Sequence, residues 1–423
     1  MTRALNALTF ALLVASLVFK NPLLFLLGVL LALVAGVTAL WDRYALFNVT
    51  YTRRIGAPRM FVGEETDLWI EIVNAKLLPL AWLRVEDEIP NGVRILRGKV
   101  YHSHKPARCI LATLTSLRFY ERVRRHYRLR AMQRGAFEFG PAGLRSGDIF
   151  GFRYQEKVVS DVDWLIVYPK VVPVTALGLP AAYPFGDAKT RSRVSPDPLR
   201  IMGVRDYAPG DSPRFVHWKA TARRNELQTR VFEPGAAHAA AIFLNARTTD
   251  RAGYVPEYFE LAAVAAASLA RHLLDAREAV GLYANTHRMK SGGLVRLPPS
   301  RRPDRWSEIL DTLAWINCLA TASFERMLQV EATRLPFGAA IIAISAMVTD
   351  ETKAALLDLR RRGHPVTLLF IGENAPEHMP DEIETYWIGD HTTYRRLVES
   401  DLPLVALPAL EEAGDRNAYV HTD

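Results

Sequence analysis

The sequence predicts a multidomain protein: a transmembrane helical hairpin, then an all-β domain, then an α/β domain with a mainly parallel sheet. Three observations carry this. Two apolar runs, 5–19 and 22–41, open the chain and are separated by Lys20-Asn21 before Pro22. Short alternating segments with turn residues fill 51–171, and beyond Ala239 apolar runs of strand length alternate with helical ones. A chain of 423 residues holds more than one folded unit, since domains run to ~100–200 residues. Its 49% hydrophobic and 10% aromatic content excludes a disordered protein. The boundaries read as 1–42 (hairpin), 43–175 (β domain), 176–235 (linker and a charged block), 236–395 (α/β domain) and 396–423 (tail).

The second apolar run, at ~1.5 Å per residue, can cross ~30 Å of hydrocarbon; the first is short and needs local thinning or its neighbour. A cleaved signal peptide is the competing reading of the first run, supported by Arg3, but an equally apolar span follows and no A-x-A site is evident. Arg43, Arg53, Arg54 and Arg59 follow the second span, whereas the turn carries only Lys20. The positive-inside rule therefore places both termini and the soluble domains in the cytoplasm of a membrane-bound protein. Two cysteines, Cys109 and Cys318, without C-x-x-C spacing, suit a reducing compartment and exclude a disulfide scaffold.

In the β domain, 67–73 and 127–130 alternate in character and are punctuated by Pro79, Pro90-Asn91-Gly92 and Gly140-Pro141. Period two with turn signals predicts strands, here an immunoglobulin-like β-sandwich. Pro180, Pro184, Pro196 and Pro198 mark a linker. It leads to the densest chemistry in the chain, residues 205–223, where Pro209-Gly210 suits a type II turn and Ser212-Pro213 a helix start, with the helix running to Arg223. Helical spacing then puts Phe215, Trp218 and Ala222 on an anchoring face and Arg214, His217 and Thr221 on a neighbouring one.

The α/β domain reads as strand 239–244, helix 256–277, strand 280–284, helix 305–319, strand 338–345, helix 350–362 and strand 366–371. That alternation implies a parallel sheet covered on both faces. The Ala-rich run 261–267 is too short between Glu260 and Arg271-His272 to be a span, and its alanines suit close packing on a sheet.

The run R-x-Y-x-P-G-D-x-x-R-x-x-x-W-K-A-T-A-R, here Arg205, Tyr207, Pro209, Gly210, Asp211, Arg214, Trp218, Lys219, Ala220, Thr221, Ala222 and Arg223, resembles the signature of the bacterial family catalogued as Domain of Unknown Function 58. Arg134-Gly135-Ala136-Phe137-Glu138-Phe139-Gly140-Pro141 and Ser146-Gly147-Asp148-Ile149-Phe150-Gly151-Phe152 are similar to a second run of that family, with Ile149 replacing its proline, and Val167-Tyr168-Pro169 extends the likeness. The resemblance implies that the α/β domain is von Willebrand factor A-like, and that the partner is a MoxR-type AAA+ ATPase acting on client proteins. Domains of that type bind a divalent ion through D-x-S-x-S after the first strand; the corresponding positions here are Asn245, Arg247 and Thr249. An amide and a permanent cation replace the hard oxygen ligands, so a metal-free adaptation is the favoured reading, with Asp250 a possible substitute ligand. No cofactor is expected.

His217 and Asp211 could form an acid–base pair for a hydrolase, yet no nucleophile motif accompanies them. The favoured reading is a non-enzymatic scaffold or adaptor, with Arg205, Asp206, Tyr207, Gly210, Asp211, Arg214, His217, Trp218, Lys219 and Arg223 forming an interaction surface or an ion-pair network between domains. The strongest basic run, Arg118 to Arg134, includes Arg122, Arg124, Arg125, Arg128 and Arg130. With a net charge of +8 it raises nucleic-acid binding, but no nucleic-acid fold signature occurs. A solvated strand face, with attraction to anionic membrane lipid or another polymer as a secondary role, fits better.

Overall fold

A computed structural model of the chain describes residues 2–148, 154–180, 196–208, 215–234, 239–249, 255–289, 292–376 and 378–399. It divides into two units, Met1–Tyr168 and Pro169–Asp423.

The first unit opens with α1 (Thr2–Phe19) and α2 (Pro22–Tyr44). Asn21 explains the break between them: its side chain accepts a hydrogen bond from Leu23 N at 2.9 Å, and Pro22 occupies the first helical position, where a missing N–H costs nothing. Within α2, Pro22–Trp41 is long and apolar enough to cross a membrane, and most of its side chains are exposed; Ala7–Phe19 is a shorter apolar helix. Length and composition thus qualify one helix, where the sequence predicted two spans.

Twelve strands follow in this unit: β1 (Val49–Ile55), β2 (Arg59–Phe61), β3 (Glu65–Asn74), β4 (Leu80–Pro90), β5 (Val93–Ile95), β6 (Val100–His102), β7 (Arg108–Leu117), β8 (Arg122–Ala131), β9 (Gly135–Phe139), β10 (Ala142–Gly147), β11 (Tyr154–Val159) and β12 (Asp163–Tyr168). They form sheets β1-β3-β8-β5, β11-β10-β4-β7-β6 and β2-β12-β9. Period-two burial is plain in β3, where Thr66, Leu68, Ile70, Ile72 and Asn74 are buried. The first two sheets face each other, because Tyr51 on β1 reaches Asp87 on β4 at 2.8 Å and Tyr127 on β8 meets Thr113 on β7 at 3.1 Å.

Between those sheets lies a buried charge. Arg53 Nη1 is 2.5 Å from Asp87 Oδ1, Nε donates to Asp163 Oδ2 at 2.9 Å, and Nη2 donates to the Phe139 and Asp161 carbonyls at 2.7 and 3.1 Å. Burial pushes the Asp87 carboxyl upward, and the Arg53 charge opposes that shift. Gly140 sits over the guanidinium with φ +98°; a Cβ there would lie 2.8 Å from Arg53 Nη2 and 2.7 Å from Asp161 O. Both the conformation and the space demand glycine.

The second unit begins with a 3-10 turn (Val174–Leu177), β13 (Pro196–Asp206), α3 (Trp218–Arg224) and β14 (Gln228–Pro234). β13 and β14 pair antiparallel, with Asp206 opposite Gln228, so the stretch expected to be a linker contains a two-stranded ribbon. The remainder is β15 (Ala239–Leu244), α4 (Pro256–Asp275), β16 (Ala279–His287), β17 (Leu294–Ser300), α5 (Arg305–Trp315), α6 (Phe324–Ala332), β18 (Ala340–Ser345), α7 (Asp350–Arg361), β19 (Val366–Ile371), β20 (Glu384–Gly389) and α8 (His391–Glu399). The sheet runs β17-β16-β15-β18-β19-β20, parallel except for the edge strand β17.

Helices cover both faces. Phe324, Met327 and Leu328 of α6, with Leu356 and Leu359 of α7, pack on Phe243, Ile341 and Leu368. On the sheet's other face α4 lies with α5 and α8 beside it, its alanines 262, 263, 265, 266, 267 and 270 all buried. Small side chains let that helix approach the sheet closely, as its composition predicted. The helix expected over 305–319 ends at Trp315, because Ile316 turns extended and bridges to Arg288; α6 is a separate helix capped by Ser323.

Candidate functional site

In the α/β unit the chain leaves β15 toward β16 on one side and later returns to β18 on the other, so the strand order reverses between β15 and β18. Open α/β sheets bind ligands in the crevice beyond the carboxyl ends of strands at such a point. Here that crevice is closed by amides and a hydroxyl. Asn245 Nδ2 donates to Ser345 Oγ at 2.9 Å, and Asn245 Oδ1 accepts from Asn285 Nδ2 at 2.9 Å and from Arg247 N at 3.0 Å. Asn285 Oδ1 accepts from Ala246 N at 2.7 Å, and Ser345 Oγ donates to Met347 O at 2.5 Å. All three side chains are buried at the ends of three adjacent parallel strands, and hydrogen bonds satisfy them.

That chemistry does not fit a hard cation. The single acceptor oxygen of Asn245 is already committed to two donors, and Arg247, itself exposed between buried Ala246 and Thr248, follows it. Thr249 is half-buried, and Asp250 lies outside the described residues. No three His, Cys, Asp or Glu side chains gather into a metal-binding group among the described residues.

Glu325 supplies a carboxylate to this unit. It accepts from Thr352 Oγ1 at 2.7 Å and from Ser323 Oγ at 2.8 Å. Burial works against its charge, yet these hydrogen bonds and the Arg247 charge hold the carboxyl below its ordinary range. Asn285, Ser345 and Glu325 were missed as sequence candidates. A signal existed for each: a polar residue ending an apolar strand at 285 and 345, and a serine cap with apolar residues at 324, 327 and 328 around Glu325.

The described parts of the charged block, 205–208 and 215–223, lie at the end of the β13–β14 ribbon where Asp206 pairs with Gln228. Gln228 Nε2 donates to Asp206 Oδ1 at 2.6 Å, Gln228 N to Thr221 Oγ1 at 3.1 Å, and Tyr207 N to Leu227 O at 2.9 Å. Asp206 thus accepts from an amide across the ribbon. Arg205 Nη1 donates to the Asp206 carbonyl at 3.0 Å. Gly210, Asp211 and Arg214, with the expected turn at Pro209 and cap at Ser212, lie outside the described residues.

The helix itself starts at Trp218, later than expected, and its cap is His217, whose Nδ1 accepts from Ala220 N at 3.1 Å. The late start overturns the anchoring face assigned to Phe215, Trp218 and Ala222. Trp218 is 69% exposed, and Lys219, Ala222 and Arg223 are exposed with it. A ring nitrogen that accepts a backbone N–H at a helix end is engaged in structure.

In the β-rich unit Arg122, Arg124, Arg125, Arg128 and Arg130 are all exposed on β8. Arg125, opposite Ile70, falls in the other phase from the rest, which a uniform basic face did not anticipate. Acidic residues on β3 answer three of the others, Arg122 and Arg124 meeting Glu71 at 3.2 and 2.8 Å and Arg128 approaching Glu65 at 3.6 Å, while His126 contacts Asp67 at 2.7 Å and stacks on Trp69. Arg124 and Arg122 hold the Glu71 carboxyl below its usual range. Exposed pairs of this kind contribute only ~0.2–1 kcal/mol each. Their main effect is to weaken the positive field that an anionic polymer would meet.

Residues 203–382 match the family described as Protein of unknown function DUF58.

The DUF58 match begins within β13, runs through α3 and β14, and takes in the strand-end crevice of the α/β sheet. The "Uncharacterized protein YeaD" of Bacillus subtilis (strain 168) is 24% identical over 225 residues, which is 52% of this chain and 52% of that protein. The chain thus spans about half the length of this curated relative. Among solved structures, a non-cellulosomal cohesin from Archaeoglobus fulgidus is similar over 28% of this chain and 91% of its own, at 12% identity and a TM-score of 0.21. Salmonella alpha-2-macroglobulin reacted with methylamine is similar over 33% of this chain and 9% of its own, at 15% identity and a TM-score of 0.20. Scores this low carry no argument about fold or function.

Proposed function

We propose that the protein is a membrane-anchored, non-enzymatic scaffold whose ribbon end, carrying Trp218, Lys219 and Arg223, docks another protein. The carrying observation is Trp218: a large indole left 69% exposed on a short helix whose frame is fixed by the His217 cap and the Asp206–Gln228 bond. Tryptophan and arginine dominate interface energetics.

On this reading the anchor is a two-helix hairpin of α1 and α2, and the basic residues after α2 keep the soluble units in the cytoplasm. The β-rich unit is an immunoglobulin-like sandwich. The α/β unit is a von Willebrand factor A-like domain whose cation pocket has become the Asn245–Asn285–Ser345 lock, so it works by contact without a metal or a reaction. The partner implied by the signature resemblance is a MoxR-type AAA+ ATPase with its clients.

The test is binding of a purified MoxR-type ATPase from the same organism to the full-length protein in detergent. Trp218→Ala should weaken the complex by about 2 kcal/mol or more, roughly thirtyfold, without changing the melting temperature. Equal binding by wild type and variant would refute the docking surface.

A further inference from the structure

We propose that the β-rich unit rests on the bilayer through an apolar foot, Leu77 with Phe119 and Tyr120, which enters the headgroup layer on the side where α2 emerges. The proposal rests on the reading of Pro22–Trp41 as a membrane span. The three side chains are 74%, 62% and 66% exposed, unusual for large apolar groups in neighbouring loops. Leu77 lies in the β3–β4 connection, and Phe119 and Tyr120 in the β7–β8 connection. The loops are held together. Tyr120 N donates to Lys76 O at 3.2 Å, Asn74 N to Glu121 O at 2.9 Å, and Asn74 Nδ2 to the carbonyls of Arg118 and Leu78 at 2.8 and 3.0 Å.

The same loops are tied to the end of α2. Trp41 Nε1 donates to Pro79 O at 3.1 Å, Lys76 Nζ to Ala45 O at 2.8 Å, and Ala75 N to Asn48 O at 3.0 Å. A rigid link of three hydrogen bonds to the last turn of the helix and the residues just after it keeps the loop tips close to the level at which α2 leaves the hydrocarbon. The composition there suits the interface. Tyr44 and Phe47 follow Trp41 and are exposed, Arg43 and Arg118 supply exposed cations, and the Glu121 carboxylate accepts from Arg118 N at 2.5 Å. Aromatic rings with flanking basic groups at a helix end favour the headgroup region over water, and a protein partner is not needed to cover them.

Depth measurement tests this on the full-length protein with Cys109→Ser and Cys318→Ser. Single cysteines replacing Leu77, Phe119, Leu30 or Tyr101 are spin-labelled and reconstituted in phosphatidylcholine/phosphatidylglycerol vesicles holding no other protein. Relative access to oxygen and to an aqueous nickel chelate is then read. Leu30 is mid-span in α2, and Tyr101, exposed on β6, pairs with Ile110, seven residues along β7 from Leu117 and so about 23 Å from the foot. The labels at 77 and 119 should show nickel access several-fold below that at 101, with the label at 30 almost wholly protected. Nickel access at 77 and 119 equal to that at 101, with 30 protected, overturns the foot and leaves the span intact. Free nickel access at 30 overturns the span and the foot with it. Leu77→Asp/Phe119→Asp, exposed changes that leave the core untouched, should raise nickel access of a label at Tyr120→Cys; no change would also overturn the proposal.

Discussion

Asn245 Nδ2 donates to Ser345 Oγ at 2.9 Å and so joins the carboxyl ends of two neighbouring parallel strands whose residues are 100 positions apart in the chain. An anionic side chain at 245 could not make this bond. The hydroxyl proton of Ser345 is already given to Met347 O, so a carboxylate would face an oxygen with nothing to donate.

Asn245→Asp should therefore destabilise the α/β unit by about 1–3 kcal/mol, the cost of an unsatisfied buried polar group. Wild-type protein should melt at the same temperature in EDTA and in millimolar magnesium. A magnesium-dependent rise in wild-type melting temperature, the mass-action signature of a bound ion, would contradict the amide lock.

Arg53 and Asp87 test the β-rich unit. Arg53→Met leaves Asp87 buried beside Tyr51 without its cation and should cost about 3–5 kcal/mol in denaturant unfolding. The double variant Arg53→Met/Asp87→Leu should recover part of that loss, since it removes the stranded charge. A single variant no weaker than the double would show that the pair does not hold the sheets.

Lys76 gives a pH dependence. Burial lowers its ammonium from 10.5 to about 8. The folded pKa lies below the unfolded one, so the native state favours the neutral amine: its stabilising contribution is complete above pH 10.5 and is lost as the pH falls through 8. The stability of wild type relative to Lys76→Met should rise between pH 8 and 10.5 and stay flat below 8, as read by chemical denaturation across that range. A flat difference throughout would mean that the lysine is solvated in the folded state.

His217 and Trp218 separate structure from recognition. His217→Ala removes the cap of α3 and should cost about 1 kcal/mol, with His217→Asn restoring most of it because asparagine also caps. Trp218→Ala should change stability by less than about 0.5 kcal/mol, as exposed substitutions do. Thermal melts of the three variants check this. A hydrolase centred on Asp211 and His217 would instead show turnover that His217→Asn abolishes.

The sequence by itself determined what local chemistry can determine. Asn21-Pro22 sets the start of α2, period-two alternation specifies β3, and Thr349 with Asp350 and Glu351 opens α7 while Arg360 and Arg361 close it. Each is a contest settled within a few residues. The loss of the carboxylate at Asn245 was legible too. Only the tertiary structure decided that Asn285 and Ser345 complete the lock and that Gln228 holds Asp206. It also decided that a loop at Leu77 is bound to the end of α2. In every such case the partner lies tens of residues away, and the pairing follows from sheet register and strand order, which no local spacing encodes.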